Sequence, residues 1–212
     1  SPSIDSFSVI ATGLGKLRVT GTASDTVAGL HSEPYNFAID GVWSGWVKNN
    51  ETTKEYVNLD ANRQYTLQFK ARDKVLNERA QQISRYTRAL DPVDISIKEI
   101  GEDYITLSIT NNGDNKNSPY HRIEILNKAT GTAESVSDYS QKAVDREISG
   151  LKKGVEYEVI TVTRNGDASV TNAPINWSKD RGLGSIYVLS PPDKIKINNT
   201  TNTTIEVNWD VT

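Results

Sequence analysis

Nucleophilic catalysis in this chain would have to run through His31 or His121, its two histidines. There is no cysteine, so a nucleophile–base pair would need one of them beside a serine. Neither lies in a motif: the chain has no Gly-x-Ser-x-Gly elbow, phosphate loop or His-Glu-x-x-His pattern. Both histidines are therefore expected at the surface or in loops. The missing cysteines also exclude disulfides and the usual thiolate zinc site. The stretch Asn111-Asn112-Gly113-Asp114-Asn115-Lys116-Asn117 is rich in the oxygen ligands that calcium takes. It lacks the acid spacing and closing Glu of a calcium loop and reads as a turn between two strands. No catalytic, cofactor-binding or metal-ligating residue is expected.

Aromatic side chains offer a different chemistry. The apolar face of a sugar ring can stack on an indole, and Trp43, Trp46 and Tyr35 are the candidate contacts for a glycan or a protein partner. Trp43 and Trp46 are three residues apart. On a flat strand they point to opposite faces, so at least one is expected in the core. Trp177 is expected to seal an end of a module or an interface between modules.

The charge balance narrows the partners. The 212 residues carry a net charge of −3. Residues 1–90 have 11 basic and 9 acidic side chains, and residues 91–212 have 13 and 18. Neither part is the basic patch that neutralises phosphates or anionic lipid, so nucleic acid is not an expected partner. No apolar run reaches the ~18 residues that span a bilayer, so membrane insertion is not expected. The chain opens on Ser-Pro-Ser and closes within a strand-like run, and is read as a piece of something longer.

The elements that must position these residues are strands. Glu156-Tyr157-Glu158-Val159, Ile195-Lys196-Ile197 and Ile205-Glu206-Val207-Asn208-Trp209 place apolar side chains at every second position, which points them to one face of a strand. Turn chemistry punctuates such runs at Gly13-Leu14-Gly15, Asp40-Gly41 and Asn165-Gly166-Asp167. The spacing also repeats. Pro92, Ile95, Ile97, Ile105, Leu107 and Ile109 recur as Pro192, Ile195, Ile197, Ile205, Val207 and Trp209. Leu59, Asn62 and Tyr65 recur as Leu151, Gly154 and Tyr157. Such repetition marks an array of similar units. Residues 1–89 form one module and residues 90–190 a second. Residues 191–212 supply the first strands of a third, after a stiff Pro191-Pro192 joint.

The Leu-to-Tyr spacing resembles the corner before strand F of fibronectin type III and related immunoglobulin-like sandwiches, where a tyrosine hydroxyl bonds back to upstream backbone. Leu59/Tyr65 and Leu151/Tyr157 match it. Tyr65-Thr66-Leu67-Gln68-Phe69-Lys70-Ala71 is similar to a strand F of that family, Asp73, Asn77 and Glu78 to the turn after it, and Trp209 to the strand-B tryptophan. Gly21 and Ile109 stand where Trp209 does. Thr161 and Thr163 share the Tyr157 face, so that strand is expected to be bulged or buried on both sides. The resemblance implies an all-β chain of tandem fibronectin type III-like sandwiches, with structural tyrosine corners at Tyr65 and Tyr157. It implies non-catalytic modules that space or present other parts of a secreted or cell-surface bacterial protein, with neighbouring domains of the same chain as partners. The alternatives are a module that binds carbohydrate, cell wall or another surface protein, and a part of a phage tail.

Overall fold

The structure is a computed structural model that describes residues 1–141, 145–189, 195–200 and 205–209. It is all-β apart from one short helix. The chain divides into two compact units. The first comprises Ser1–Asp91 with Asn111–Tyr120 and Thr163–Ala173, and the second comprises Pro92–Thr110, His121–Val162 and Pro174–Thr212.

The first unit contains a sandwich of seven strands: β1 (Ser3–Gly13), β2 (Lys16–Ser24), β3 (Leu30–Ile39), β4 (Val42–Val47), β5 (Thr53–Tyr56), β6 (Gln64–Asp73) and β7 (Glu78–Tyr86). One sheet has the order β1-β2-β5 and the other β4-β3-β6-β7. The alternation in the sequence becomes alternation of burial. Along β2, Leu17, Val19, Gly21 and Ala23 are buried, and along β6 so are Tyr65, Leu67, Phe69 and Ala71. Pro34 lies in β3 where its pairing with β6 is interrupted between Leu30 and Tyr35. That is where a residue without an N–H can stand in a sheet.

Phe69 is the centre of this core. Its ring lies 5.9 Å from Phe7, 5.3 Å from Tyr35 and 5.2 Å from Phe37. The facing position on β2 is Gly21, and a Cβ there would come within 2.7 Å of the Phe69 ring. The glycine is required by this close approach, so an aromatic ring fills from one sheet the space that a large strand-B side chain would fill from the other.

Asparagine side chains tie loop backbone inside the first unit. Asn62 is fully buried with φ +48°. It donates from Nδ2 to the Asn117 carbonyl (2.6 Å) and accepts at Oδ1 from the Gly166 N–H (2.8 Å). Its own carbonyl accepts from Asn117 Nδ2 at 2.9 Å. Asn115 accepts from the Leu90 N–H and donates to the Leu90 carbonyl, at 2.8 and 3.0 Å. Asn165 bonds the Val170 N–H and the Tyr86 carbonyl, and Asn172 donates to the Ala89 carbonyl and Asp91. The Asn-rich run is the loop between two strands, as its composition indicates, and Asn115 and Asn117 belong to it.

In the second unit β8 (Asp94–Ile100), β9 (Tyr104–Thr110) and β12 (Arg146–Ser149) form a sheet of order β12-β9-β8. The other sheet runs β11-β10-β13-β14, with β15 also paired to β13. Its members are β10 (Tyr120–Asn127), β11 (Ala133–Val136), β13 (Glu156–Arg164), β14 (Ile175–Asn176) and β15 (Ile186–Tyr187). The core is aliphatic around Tyr157 and Trp177 and includes Ile105, Leu107, Ile123, Ile125, Val159 and Ile186. Along β13, Tyr157, Glu158, Val159, Thr161, Val162 and Thr163 are all buried, so the strand is covered on both faces. Trp177 opens the short helix α1 (Trp177–Asp180) and is itself core, with Nε1 donating to Thr161 Oγ1 at 2.8 Å. The buried Glu158 carboxylate is met by Asn176 Nδ2 at 2.9 Å and Lys179 Nζ at 3.0 Å.

Strands β16 (Ile195–Thr200) and β17 (Ile205–Trp209) pair antiparallel, with Ile195 opposite Trp209 and Ile197 opposite Val207. The Pro191-Pro192 joint read from the sequence lies outside the described residues.

Two substitutions test these packing statements. Gly21→Ala overpacks the Phe69 site and is expected to cost about 1–3 kcal/mol in urea unfolding, with part of the loss recovered when Phe69→Leu is added. Asn62→Ala strands buried donors and acceptors and is expected to cost about 2 kcal/mol or more. Asn62→Gly keeps the left-handed backbone and is expected to cost less.

Candidate functional site

Trp43 and Trp46 lie on the same outward face, which corrects the expectation that at least one is core. The cause is an irregularity in the β3–β4 pairing. Asn36 is opposite Trp46 and Ala38 is opposite Trp43, so two steps on β3 match three on β4. The extra residue is taken up where Gly45 has φ +96°, a value suited to glycine. Residues directly opposite one another share a face. Both indoles thus stand over the outer side of β3, where Asn36 and Ala38 are 7% and 0% exposed.

Their faces are covered by cations from β6. Lys70 Nζ lies 4.5 Å from the Trp43 ring centre and the Arg72 guanidinium 4.1 Å from that of Trp46. Both distances are within cation–π range. Arg72 Nε also donates to the Glu33 carbonyl at 3.0 Å. Glu33 lines an open depression of about 570 Å³ with Ser32, Lys48, Asn49 and Asn50. The indoles are half-buried, and the ladder Trp43–Lys70 and Trp46–Arg72 continues toward this depression.

Tyr35 does not join them. It is 2% exposed in the first core. Its hydroxyl donates to the Ala23 carbonyl (3.3 Å) and accepts from the Ala23 N–H (3.2 Å). It alternates with Phe37 and Ile39 on the inner face of β3, so it is removed from the candidate contacts for a ligand. The sequence signal was there, in the period-two run of Tyr35, Phe37 and Ile39.

His121 is also corrected. It is fully buried rather than on the surface. It sits on β10 in step with the buried Ile123 and Ile125, and its backbone exchanges hydrogen bonds with Ser140, both at 3.0 Å. Arg146 donates to the His121 and Ser140 carbonyls, each at 2.8 Å. His31 is partly exposed, and its Nδ1 accepts from the Glu33 N–H at 3.0 Å. The two histidines lie in different units. Among the described residues no group of three or more His, Cys, Asp or Glu is placed to hold a metal, and no helix is long and apolar enough to cross a membrane.

The two corner tyrosines make the same bond. The Tyr65 hydroxyl accepts from the Asp60 N–H at 2.9 Å, and the Tyr157 hydroxyl accepts from the Lys152 N–H at 2.8 Å. Each bond spans five residues back along the chain. The turn residue between is left-handed in both, Asn62 at φ +48° and Gly154 at φ +73°. The Tyr157 hydroxyl also donates to Glu134 Oε2 at 3.0 Å. Burial pushes the Tyr157 hydroxyl up, and the bond to Glu134 adds to this, so at neutral pH it is a donor.

No family model matches the chain, and no curated protein matches it. Solved fibronectin type III arrays are similar to it. A two-domain fibronectin type III segment from chicken tenascin shares 20% identity over 82% of this chain and 96% of that one, with a TM-score of 0.47. The fibronectin(III)-like modules of Clostridium thermocellum CbhA share 11% identity over 83% and 91%, with a TM-score of 0.45. The central fibronectin-III array of RIM-binding protein shares 16% over 98% and 79%, with a TM-score of 0.33. The fold itself is all-β, built of antiparallel sheets.

Tyr65→Phe and Tyr157→Phe each remove an acceptor from a backbone N–H. Each is expected to lose about 0.5–1.5 kcal/mol in chemical unfolding. Tyr157→Phe should lie at the upper end, because Glu134 Oε2 loses the hydroxyl that donates to it as well.

Proposed function

We propose that these are non-catalytic spacing and interaction modules of a larger extracellular protein of bacterial origin. The supporting observation is the use made of the polar side chains. The corner tyrosines, Asn62, Asn115, Asn165 and Asp73 all bond backbone within their own unit. Their chemistry is consumed in holding loops, which suits a module that keeps its shape while presenting something else. The lack of cysteine in a β protein of this kind accords with a bacterial rather than a eukaryotic secreted source.

A second reading rests on the outer face of β4. Trp43 and Trp46 stand side by side there, next to an open polar depression. That arrangement suits a glycan or a surface-protein partner if Lys70 and Arg72 swing aside. The spacing reading treats the same indoles as lids for Asn36 and Ala38.

The two readings separate in one experiment. The chain, Trp43→Ala and Trp46→Ala are each passed over a glycan array and cell-wall polysaccharide and are each thermally unfolded. The spacing reading expects no binding by any of them and a lower Tm in both variants. Binding by the parent chain that Trp43→Ala abolishes at unchanged Tm would establish the second reading instead.

A further inference from the structure

The outer face of β3 holds an acceptor with nothing to accept from. Asn36 is 7% exposed, and its Oδ1 is buried with no hydrogen-bond partner. Trp46 on β4 and Lys70 on β6 stand opposite it in register, so the three share one face. Asparagine is an uneconomical residue for such a place. Strands favour β-branched and aromatic side chains, and a buried carboxamide oxygen without a donor carries a cost that a valine would not.

The cover over this amide is charged and loosely held. Lys70 Nζ pairs with Glu78 at 3.2 Å and lies 4.5 Å from the Trp43 ring centre. The Lys70 and Glu78 side chains are 32% and 44% exposed, and an ion pair this exposed holds weakly. Opposite Lys70 on β7 stands Ala80, which is small and exposed. The lysine therefore has room to move off the indole. Arg72 covers Trp46 in the same way, at 4.1 Å.

We propose that this face takes a uronate polysaccharide, a sugar chain that carries carboxylates. A sugar hydroxyl donates to Asn36 Oδ1, ring faces stack on Trp43 and Trp46, and carboxylates draw Lys70 and Arg72 off the indoles. The inference rests on the second reading above and narrows it to one charge class. What covers the indoles decides that class. Moving a cation off an indole forfeits their attraction. A neutral sugar gives the cation nothing in return, whereas a carboxylate gives it a charge-assisted hydrogen bond, and the fork of Arg72 matches a carboxylate in shape. A hydroxyl also supplies the donor that Asn36 Oδ1 lacks. The indoles stand over Asn36 and Ala38, two residues apart on β3, or ~6.6 Å along an extended strand. That separation suits successive rings of a chain rather than one isolated sugar.

The test uses the full chain. Intrinsic tryptophan fluorescence and affinity electrophoresis are followed with sodium polygalacturonate, with sodium alginate, and with fully methyl-esterified polygalacturonate, which keeps the sugar backbone and loses the charge. The expected result is binding to an acidic polymer that weakens as salt rises and is lost on esterification. Asn36→Val is expected to weaken that binding about tenfold with Tm unchanged or raised. A purely structural amide would instead lower Tm and spare binding. Lys70→Gln, at a partly exposed position, gives a second variant if Asn36→Val does not fold, and it too is expected to weaken binding and to flatten the salt dependence. Equal binding of the acidic and the esterified polymer would overturn the charge class and leave the second reading standing. Undiminished binding in the folded Asn36→Val or Lys70→Gln chain would overturn the proposal as well. So would the absence of binding to both acidic polymers, and the second reading falls with it only if the glycan array is also blank.

Discussion

A β-sandwich must satisfy the backbone N–H groups where the chain leaves one sheet and crosses to the other, because there the ladder no longer supplies acceptors. In this protein a tyrosine hydroxyl does so twice, at Asp60 and at Lys152. The rest of each crossing follows from that bond. To bring an N–H five residues upstream onto the ring, the chain has to reverse within a few residues. The reversal needs a left-handed residue, which is Asn62 in one case and Gly154 in the other. Asparagine tolerates that conformation better than most residues and adds a side chain that can bond. In the first unit the added amide is fully used. The turn between β1 and β2 then fits beneath, with the Gly15 carbonyl accepting from the Leu59 N–H at 3.0 Å. A Cβ on Gly15 would lie 2.6 Å from the Leu59 carbonyl oxygen.

The same frame encloses two different cores. The first is aromatic, with Phe7, Tyr35 and Phe37 around Phe69, and it needs Gly21 to admit that ring. The second is aliphatic, with Ile109 at the position that Gly21 holds in the first, and it receives Trp177 from a helix after β14. Volume is conserved between facing sheets rather than at any one position, as interiors packed to crystal-like density require. The frame is therefore carried by the corners and the alternation, and the interior is free to vary.

How far the sequence could be read follows from the range of the forces involved. The corner was legible because its leucine, turn residue and tyrosine lie within one short segment. The strands were legible because burial has period two. His121 belongs to the core by its period, in step with Ile123 and Ile125, whereas its polarity alone points to the surface. The common face of Trp43 and Trp46 was hidden by one residue. A glycine inside a strand is a bulge signal, and Gly45 between the two indoles reverses the parity that a flat strand would impose. The burial of Asn36 between Trp46 and Lys70 was not legible, since it depends on the strands beside β3 and their register, which no local pattern records.

The bulge also bears on how this sandwich avoids pairing with others. Strand β4 is an edge of its sheet, and an exposed edge offers unpaired N–H and carbonyl groups to another chain. At Gly45 the regular spacing of those groups is broken. Lys70 and Arg72 lie over the two indoles, placing charge beside an apolar surface that would otherwise favour stacking. The opposite edge, β7, needs no bulge, because Glu78, Arg79, Gln81 and Gln82 already face solvent along it. One edge is guarded by polar residues and the other by geometry with a cationic cover. The tryptophans on β4 are thus compatible with a chain that stays unpaired at its edges, and they keep Asn36 and Ala38 of the neighbouring strand dry.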